Sequence, residues 1–412
     1  MNSYFFKNTL VKNISYLTIG QIISQIISLI SVFYIPKLLG VEQYGNYQTV
    51  LSFVSIFTVF SFTGLNKVAL RSGSMKIDKL SNEIESIIGI RHLFTFFAAM
   101  IAVLSAIFLD YSNEIIIYIS IYVSWLWLRT FESTINLVYQ AHEKLKYFAF
   151  FTVLKSILLA LSLVTVLLVG KGIFELLIVD LIVSLFVIVI SYYKSKRFTE
   201  FNFFSKVEFN LKKLKEGFIF SLLSFFNVLG NKIDVVMISL LGSPLEVGLY
   251  ALANSVVRKG LLASRAISTS IFPIYAKQAF KSLTRVELNK HSFYSFSAAL
   301  IVVLFIYFGA DWFINNIIGS DFSYSATIIK VLSLYLLFHY ISLPYDTALQ
   351  VTFSENTLLK IRFSLAFLNI LANYIFYDLF GIIGIAYSSL LVKLTNMVLI
   401  LIKSYFSIPY YK

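Results

Sequence analysis

Arg258, Lys259 and Arg265 stand inside one apolar stretch, 247–272. Lys232 and Asp234 lie in the stretch before it, and Lys393 lies near the middle of the final one. A charge near the centre of a bilayer costs about 2.5–3.5 kcal/mol on insertion scales, so each of these side chains must face protein or water. Cations outnumber acids in this set. A guanidinium grips a phosphate through forked hydrogen bonds, and a lysine acts on it as a point charge. The chemistry that fits is capture of a compact anion, such as a diphosphate, in a cavity with walls of low dielectric. Arg258 and Arg265 are seven apart and share a helix face. Lys259 is rotated about 100° from Arg258 and serves either the same cavity or another face. Two readings stand for Arg258, a cavity cation or half of a buried structural pair. Arg265 either joins the cavity or snorkels to the inner headgroups. Arg129 and Glu132 are three apart and can reach each other, either as a structural pair or with Arg129 as a further phosphate contact. Arg91 and Lys155 lie nearer the inner boundary, where a long side chain can snorkel.

Uncharged polar groups form a second pattern. Gln21, Ser24, Gln25 and Ser28 are spaced by three and four, which makes one stripe on a helix. Asn227 takes the matching place in the second half of the chain when the Leu-Leu-Gly words described below are aligned. Among the acids, Asp234 is the first candidate for a titrating or ion-coordinating carboxylate, because burial raises a carboxyl toward the working range. Glu132, Asp180 and His339 follow it. There is no G-x-x-x-x-G-K-[ST] loop, so ATP is not the direct driver; a proton or sodium gradient, the membrane potential or lipid asymmetry remains. No cysteine is present, and the four histidines show no ligand spacing, so no metal or other cofactor is expected.

These residues must be positioned by membrane helices. The chain is 58% hydrophobic and only 13% charged, half the usual charged share of a soluble domain, so no polar shell can cover it. Twelve apolar runs are long enough to span: 13–35, 45–66, 87–109, 115–138, 148–169, 173–193, 216–241, 247–272, 289–310, 326–350, 357–379 and 382–404. The net charge of +13 is gathered in short connectors, which argues against a nucleic-acid partner. With the N-terminus inside, the expected outer segments carry only Lys37, Lys171 and Lys330, while the inner ones carry the bulk of the lysines and arginines. The positive-inside rule then places both termini in the cytoplasm. The expected architecture is an all-α integral membrane protein with two pseudo-symmetric bundles of six helices, 1–197 and 216–412, joined by a basic cytoplasmic linker, 198–215, part of which lies on the anionic inner leaflet.

The symmetry is written in a repeated phrase. Residues 38–47 read LLGVEQYGNY and 240–250 read LLGSPLEVGLY, each in the outer turn between the first two spans of its half. Gly40 and Gly242 are expected as left-handed helix caps, Gly45 and Gly248 as points of close helix approach, and Tyr47 and Tyr250 as interfacial anchors. The layout, this phrase and the stretch NKIDVVMISLLG at 231–242 running into VGLYALA resemble the multidrug/oligosaccharidyl-lipid/polysaccharide (MOP) exporter superfamily. Within it the chain is most similar to the polysaccharide-biosynthesis branch, the Wzx-type flippases of O-antigen and capsule pathways. The motifs are loose, but the resemblance covers nearly the whole chain.

That resemblance implies a MATE-like fold around a cavity and alternating access. The implied activity is movement of an undecaprenyl-diphosphate-linked oligosaccharide to the outer leaflet of a bacterial cytoplasmic (inner) membrane. The diphosphate would meet Arg258, Lys259, Arg265, Lys232, Lys393 and Arg129, and the sugars Gln21, Ser24, Gln25, Ser28 and Asn227. Asp234 and Glu132 would couple a proton or sodium ion. The lipid-linked substrate, membrane lipids and polymerase and chain-length proteins of the same pathway are the implied partners of a monomer. Efflux of organic cations within the same superfamily is the alternative, disfavoured by the excess of cations. A polytopic glycan polymerase or transferase is a second, disfavoured because no sizeable outer loop is expected beyond 310–325.

Overall fold

The computed structural model describes residues 3–207, 209–278, 284–352 and 355–407, and among these every regular element is helical. Long apolar runs permit little else, because a helix satisfies its own backbone where water is absent. The first half comprises α1 (Ser3–Leu39), α2 (Val41–Ile56), α3 (Leu65–Met75), α4 (Leu80–Phe108), α5 (Asn113–Tyr122), α6 (Trp125–Ala141), α7 (Leu145–Leu168) and α8 (Ile173–Ser195). The second comprises α9 (Leu211–Leu241), α10 (Pro244–Lys259), α11 (Leu261–Gln278), α12 (Arg285–Phe313), α13 (Ser323–Ser333), α14 (Tyr335–Thr352), α15 (Glu355–Phe380) and α16 (Ile382–Ser407).

Among the described residues, 10 helical stretches are long and apolar enough to cross a membrane, and α2 with α3, bent by 49°, makes an eleventh if counted as one span. The run expected as an unbroken eighth span is instead α10 and α11, interrupted at Gly260. The Gly260 N–H closes a tight turn on the Val257 carbonyl at 2.9 Å, and its own carbonyl accepts the Tyr340 hydroxyl at 2.6 Å. The second span of the first half breaks too, through the 3-10 turn Phe57–Ser61 and Phe62, whose φ is +47°. Pro344 lies inside α14 without ending it. The expected outer loop 310–325 is largely helical, with a π turn at Ile314–Ile318 and a 3-10 turn at Ser320–Phe322.

The chain divides into two compact units, one of residues 1–39 and 49–228, the other of 40–48 and 229–412. The division falls within α9 rather than at the expected linker 198–215. The linker's aromatic residues explain part of this. Phe201 is buried in the core of the first unit, with Phe198 and Phe203 packed against it, and His92 bonds the Phe203 carbonyl at 2.9 Å. Lys213 pairs with Glu83 at 2.9 Å. Phe204, Phe209 and Leu211 remain exposed.

In the first unit α1 runs along α7, and Gly20 sits on Ala149 with no room for a side chain. In the second unit the repeated phrases meet. A Cβ on Gly45 would stand 1.8 Å from the Pro244 carbonyl oxygen, and one on Gly248 would stand 2.1 Å from that of Val41. The two phrases therefore form one tight crossing, possible only without side chains at those positions. Gly40 has the left-handed φ of +79° expected of it, but Gly242 is not among the positive-φ residues. The inserted Ser243-Pro244 removes the need: Ser243 and Glu246 form a reciprocal capping box with proline at the helix start. Tyr47 and Tyr250 are buried rather than interfacial.

Candidate functional site

In the second unit, α9 carries Asn231, Lys232 and Asp234; α10 carries Tyr250, Arg258 and Lys259; α11 carries Arg265; and α16 carries Ser389 and Lys393. The capping box fixes the start of α10, and the break at Gly260 ends it directly after Arg258 and Lys259. Arg258 Nη1 donates to Asn231 Oδ1 at 2.8 Å. Lys232 and Lys259 both lie within electrostatic reach of Arg258, and Lys259 also of Arg265. Lys393 stands over the Tyr335 ring, 5.7 Å from its centroid, and feels Arg258 and Asp234. Five cations thus share one electrostatic neighbourhood. Among the described residues, none of Lys232, Arg258, Arg265 and Lys393 is ion-paired with a carboxylate. Arg362, further along the same field, is paired with Asp346 at 3.4 Å.

Asp234 is one of the acids in the field of Lys393, and its oxygens are already engaged. It is 7% exposed. Tyr250 donates to Oδ2 at 2.8 Å, Ser389 to Oδ2 at 2.9 Å, and Asn373 Nδ2 to Oδ1 at 2.9 Å. Asn373 Nδ2 also donates to Asn369 Oδ1 at 2.7 Å, while Asn373 Oδ1 is buried with no hydrogen-bond partner. Ser389, Asn369 and Asn373 were not singled out from sequence, and Tyr250 was expected only as an interfacial anchor. The available signal was the pair of amides four apart on an apolar helix, Asn369 and Asn373, which share a face and need partners.

The first unit holds a cavity of about 450 Å³. Its polar lining includes Gln21 from α1, Asn66 and Lys67 from α3, Arg129 and Glu132 from α6, and Thr152 from α7. Of the predicted stripe, Gln21 lines this cavity. Ser24 is hydrogen-bonded to Ser156 on α7, and Ser28 donates to the Gln25 carbonyl at 2.7 Å. Gln25 is half-buried and Asn227 exposed on α9; neither lines the cavity. Glu132 meets Lys155 at 3.0 Å and Arg129 at 3.6 Å. Lys155 is thus half-buried in an ion pair rather than snorkelling, and it is the closer partner.

Behind the cavity wall lies Arg91, which is fully buried. Its guanidinium donates to Asn66 Oδ1 at 2.6 Å, Thr134 Oγ1 at 2.9 Å, Ser133 Oγ at 3.1 Å and the Ser61 carbonyl at 3.3 Å. All four acceptors are neutral, and among the described residues no carboxylate pairs with Arg91. The snorkelling expected of Arg91 is therefore corrected. Its position in the apolar run 87–109 without an acid one turn away was the sequence signal for an interior partner set.

Two broken second spans, paired glycine crossings and charged side chains among long apolar helices mark a multi-pass membrane protein. A family model described as polysaccharide biosynthesis protein matches residues 10–278, and the chain belongs to that family. The fold is shared with solved structures of low sequence identity. One is an inward-facing multidrug-resistance MATE-family transporter of the MOP superfamily, at TM-score 0.73, 13% identity and coverage of 93% of this chain and 94% of that one. Another is the lipid II flippase MurJ in an inward closed conformation, at 0.71, 14%, 97% and 88%. A third is a MOP-superfamily transporter from Pyrococcus furiosus described as having a binding pocket of reverse polarity, at 0.63, 12%, 97% and 95%. No curated protein sequence matches the chain.

Proposed function

We propose that the chain translocates a lipid-linked oligosaccharide, carried on undecaprenyl diphosphate, from the inner to the outer leaflet of a bacterial cytoplasmic membrane, with both termini inside. The observation that carries this reading is the group formed by Lys232, Arg258, Lys259, Arg265 and Lys393. Of the two carboxylates that Lys393 feels, Asp234 is engaged by Tyr250, Ser389 and Asn373, and Asp346 is paired with Arg362. An organic cation would be repelled by such a group; a diphosphate would replace its lost hydration there. The amides and hydroxyls around the cavity of the first unit suit sugar hydroxyls, which exchange one set of hydrogen bonds for another.

Asp234 is the proposed coupling group. Its partners are two hydroxyls and the Asn373 amide, whose Nδ2 also donates to Asn369 Oδ1 and whose Oδ1 has no hydrogen-bond partner. Carboxylate and amide oxygens are hard ligands of the kind that suit a small hard cation such as sodium.

The test is flipping of a fluorescent undecaprenyl-diphosphate oligosaccharide by the full chain in proteoliposomes. Arg258→Ala is expected to reduce the rate at least ten-fold with folding unchanged. Uptake of a cationic dye with no movement of the lipid-linked sugar would overturn the reading.

A further inference from the structure

A different pair of helices carries a second feature. At the basic end of α7 and α8 lies an open cavity of about 610 Å³, lined by Lys146, Tyr147, Phe150, Phe151, Ile190, Tyr193, Lys194 and Arg197. Its chemistry is divided along its length. Lys146 and Lys194 bring their ammonium groups to the same ring, 5.0 Å and 4.9 Å from the Tyr147 centroid. Arg197 lies two residues beyond the end of α8. Among the described residues, none of these three cations is ion-paired with a carboxylate. Away from them the lining is apolar, with Phe150 57% and Ile190 38% exposed, and exposed Phe186 and Val189 continue the path along α8.

Two like charges on one ring repel each other in a partly apolar setting, and an anion between them reverses the sign of that interaction. An apolar trough running from a trio of cations at the end of a membrane helix has the two-part character of a lipid: phosphate at headgroup depth, chains along the helices. Basic pockets between helices on the cytoplasmic side are suited to anionic headgroups. A soluble phosphate would satisfy the cations but leave the aromatic lining in contact with water.

We propose that the groove between α7 and α8 binds an anionic diacyl phospholipid of the cytoplasmic leaflet, its phosphate held by Lys146, Lys194 and Arg197 and one chain lying over Phe150 and Ile190. The site shares no lining residue with the cavity behind Gln21. It does not depend on which cargo the protein moves.

The experiment is native mass spectrometry and thermal unfolding of the full chain in a neutral detergent, titrated separately with phosphatidylglycerol, phosphatidylcholine, inorganic phosphate and undecaprenyl diphosphate. Phosphatidylglycerol is expected to bind and raise the unfolding temperature, whereas phosphatidylcholine and inorganic phosphate do not. Each cation removed by Lys146→Gln, Lys194→Gln or Arg197→Gln should weaken that binding by about five-fold. Arg197→Gln, beyond the helix end, serves as the folding-neutral variant if Lys146→Gln or Lys194→Gln does not express. Equal binding of phosphatidylcholine, unchanged phosphatidylglycerol affinity in Arg197→Gln, or preference for inorganic phosphate would overturn the proposal. Preference for undecaprenyl diphosphate would overturn the phospholipid assignment in favour of the substrate.

Discussion

The hydroxyl of Tyr250 donates to the carboxylate of Asp234 at 2.8 Å, joining α10 to α9 inside the second unit. Tyr250 is fully buried, and Ser389 and Asn373 bring α16 and α15 to the same carboxylate. Four helices therefore converge on one acid. A group that changes its bonds at Asp234 acts on all four at once.

Asp234→Asn is expected to keep the shape of this junction while removing its charge, so flipping falls but expression and monodispersity persist. Tyr250→Phe removes one charge-assisted hydrogen bond, which contributes about 1.5–3 kcal/mol, and should lower thermal stability with a smaller effect on rate. Transport assays under opposed proton and sodium gradients, with the unfolding temperature of both variants, check the pair. Undiminished flipping by Asp234→Asn would remove this acid from coupling.

Gly45→Ala should be far more damaging than its size suggests. Its Cβ would stand 1.8 Å from the Pro244 carbonyl oxygen, which is backbone and cannot swing aside. Overpacking of this kind costs about 1–3 kcal/mol, and more where backbone must move. Gly309→Ala provides the contrast, since no heavy atom lies within 4 Å of the added carbon. There the change should be neutral or stabilising by up to about 1 kcal/mol, from helix propensity. Unfolding temperatures in detergent give the comparison, and equal losses would contradict the crossing.

Arg91→Met removes a buried cation whose hydrogen bonds hold Asn66, Ser133, Thr134 and the Ser61 carbonyl. Leaving buried polar groups unsatisfied costs about 1–3 kcal/mol each, so a drop of at least about 3 kcal/mol is expected. Arg91→Lys should recover only part of it, because one ammonium cannot reach four divergent acceptors. Denaturant-induced unfolding of the three proteins decides the point; full rescue by lysine would show that charge alone matters.

The Glu132 pairs should be unequal. Lys155 sits at 3.0 Å with an 18% exposed side chain, whereas Arg129 sits at 3.6 Å and is 53% exposed. Exposed pairs are worth little, about 0–1 kcal/mol. A double-mutant cycle of Glu132→Gln with Lys155→Met is therefore expected to yield the larger coupling energy, and one with Arg129→Met the smaller. The reverse order would place the functional partnership on α6 alone.

Much of this protein was determined by local chemistry in its sequence. Apolar length marked ten of the twelve expected runs as helices long enough to span, though not the breaks in 45–66 and 247–272, and insertion cost singled out Arg258, Lys232, Asp234 and Lys393, because both depend on the residue and its neighbours in the chain. The repeated Gly-x-Tyr phrases marked close helix approach for a similar reason. Tertiary structure decided who meets whom. Gly45 packs on Pro244 and Gly248 on Val41, so each phrase is the other's partner. Tyr250 turns inward to Asp234 instead of anchoring at the interface, Arg91 finds four neutral acceptors instead of snorkelling, and Lys155 displaces Arg129 as the nearer partner of Glu132. Helical periodicity gives each residue a direction around its own axis, but the facing helix is chosen by packing across the bundle, through pairs more than a hundred residues apart such as Asp234 with Asn373.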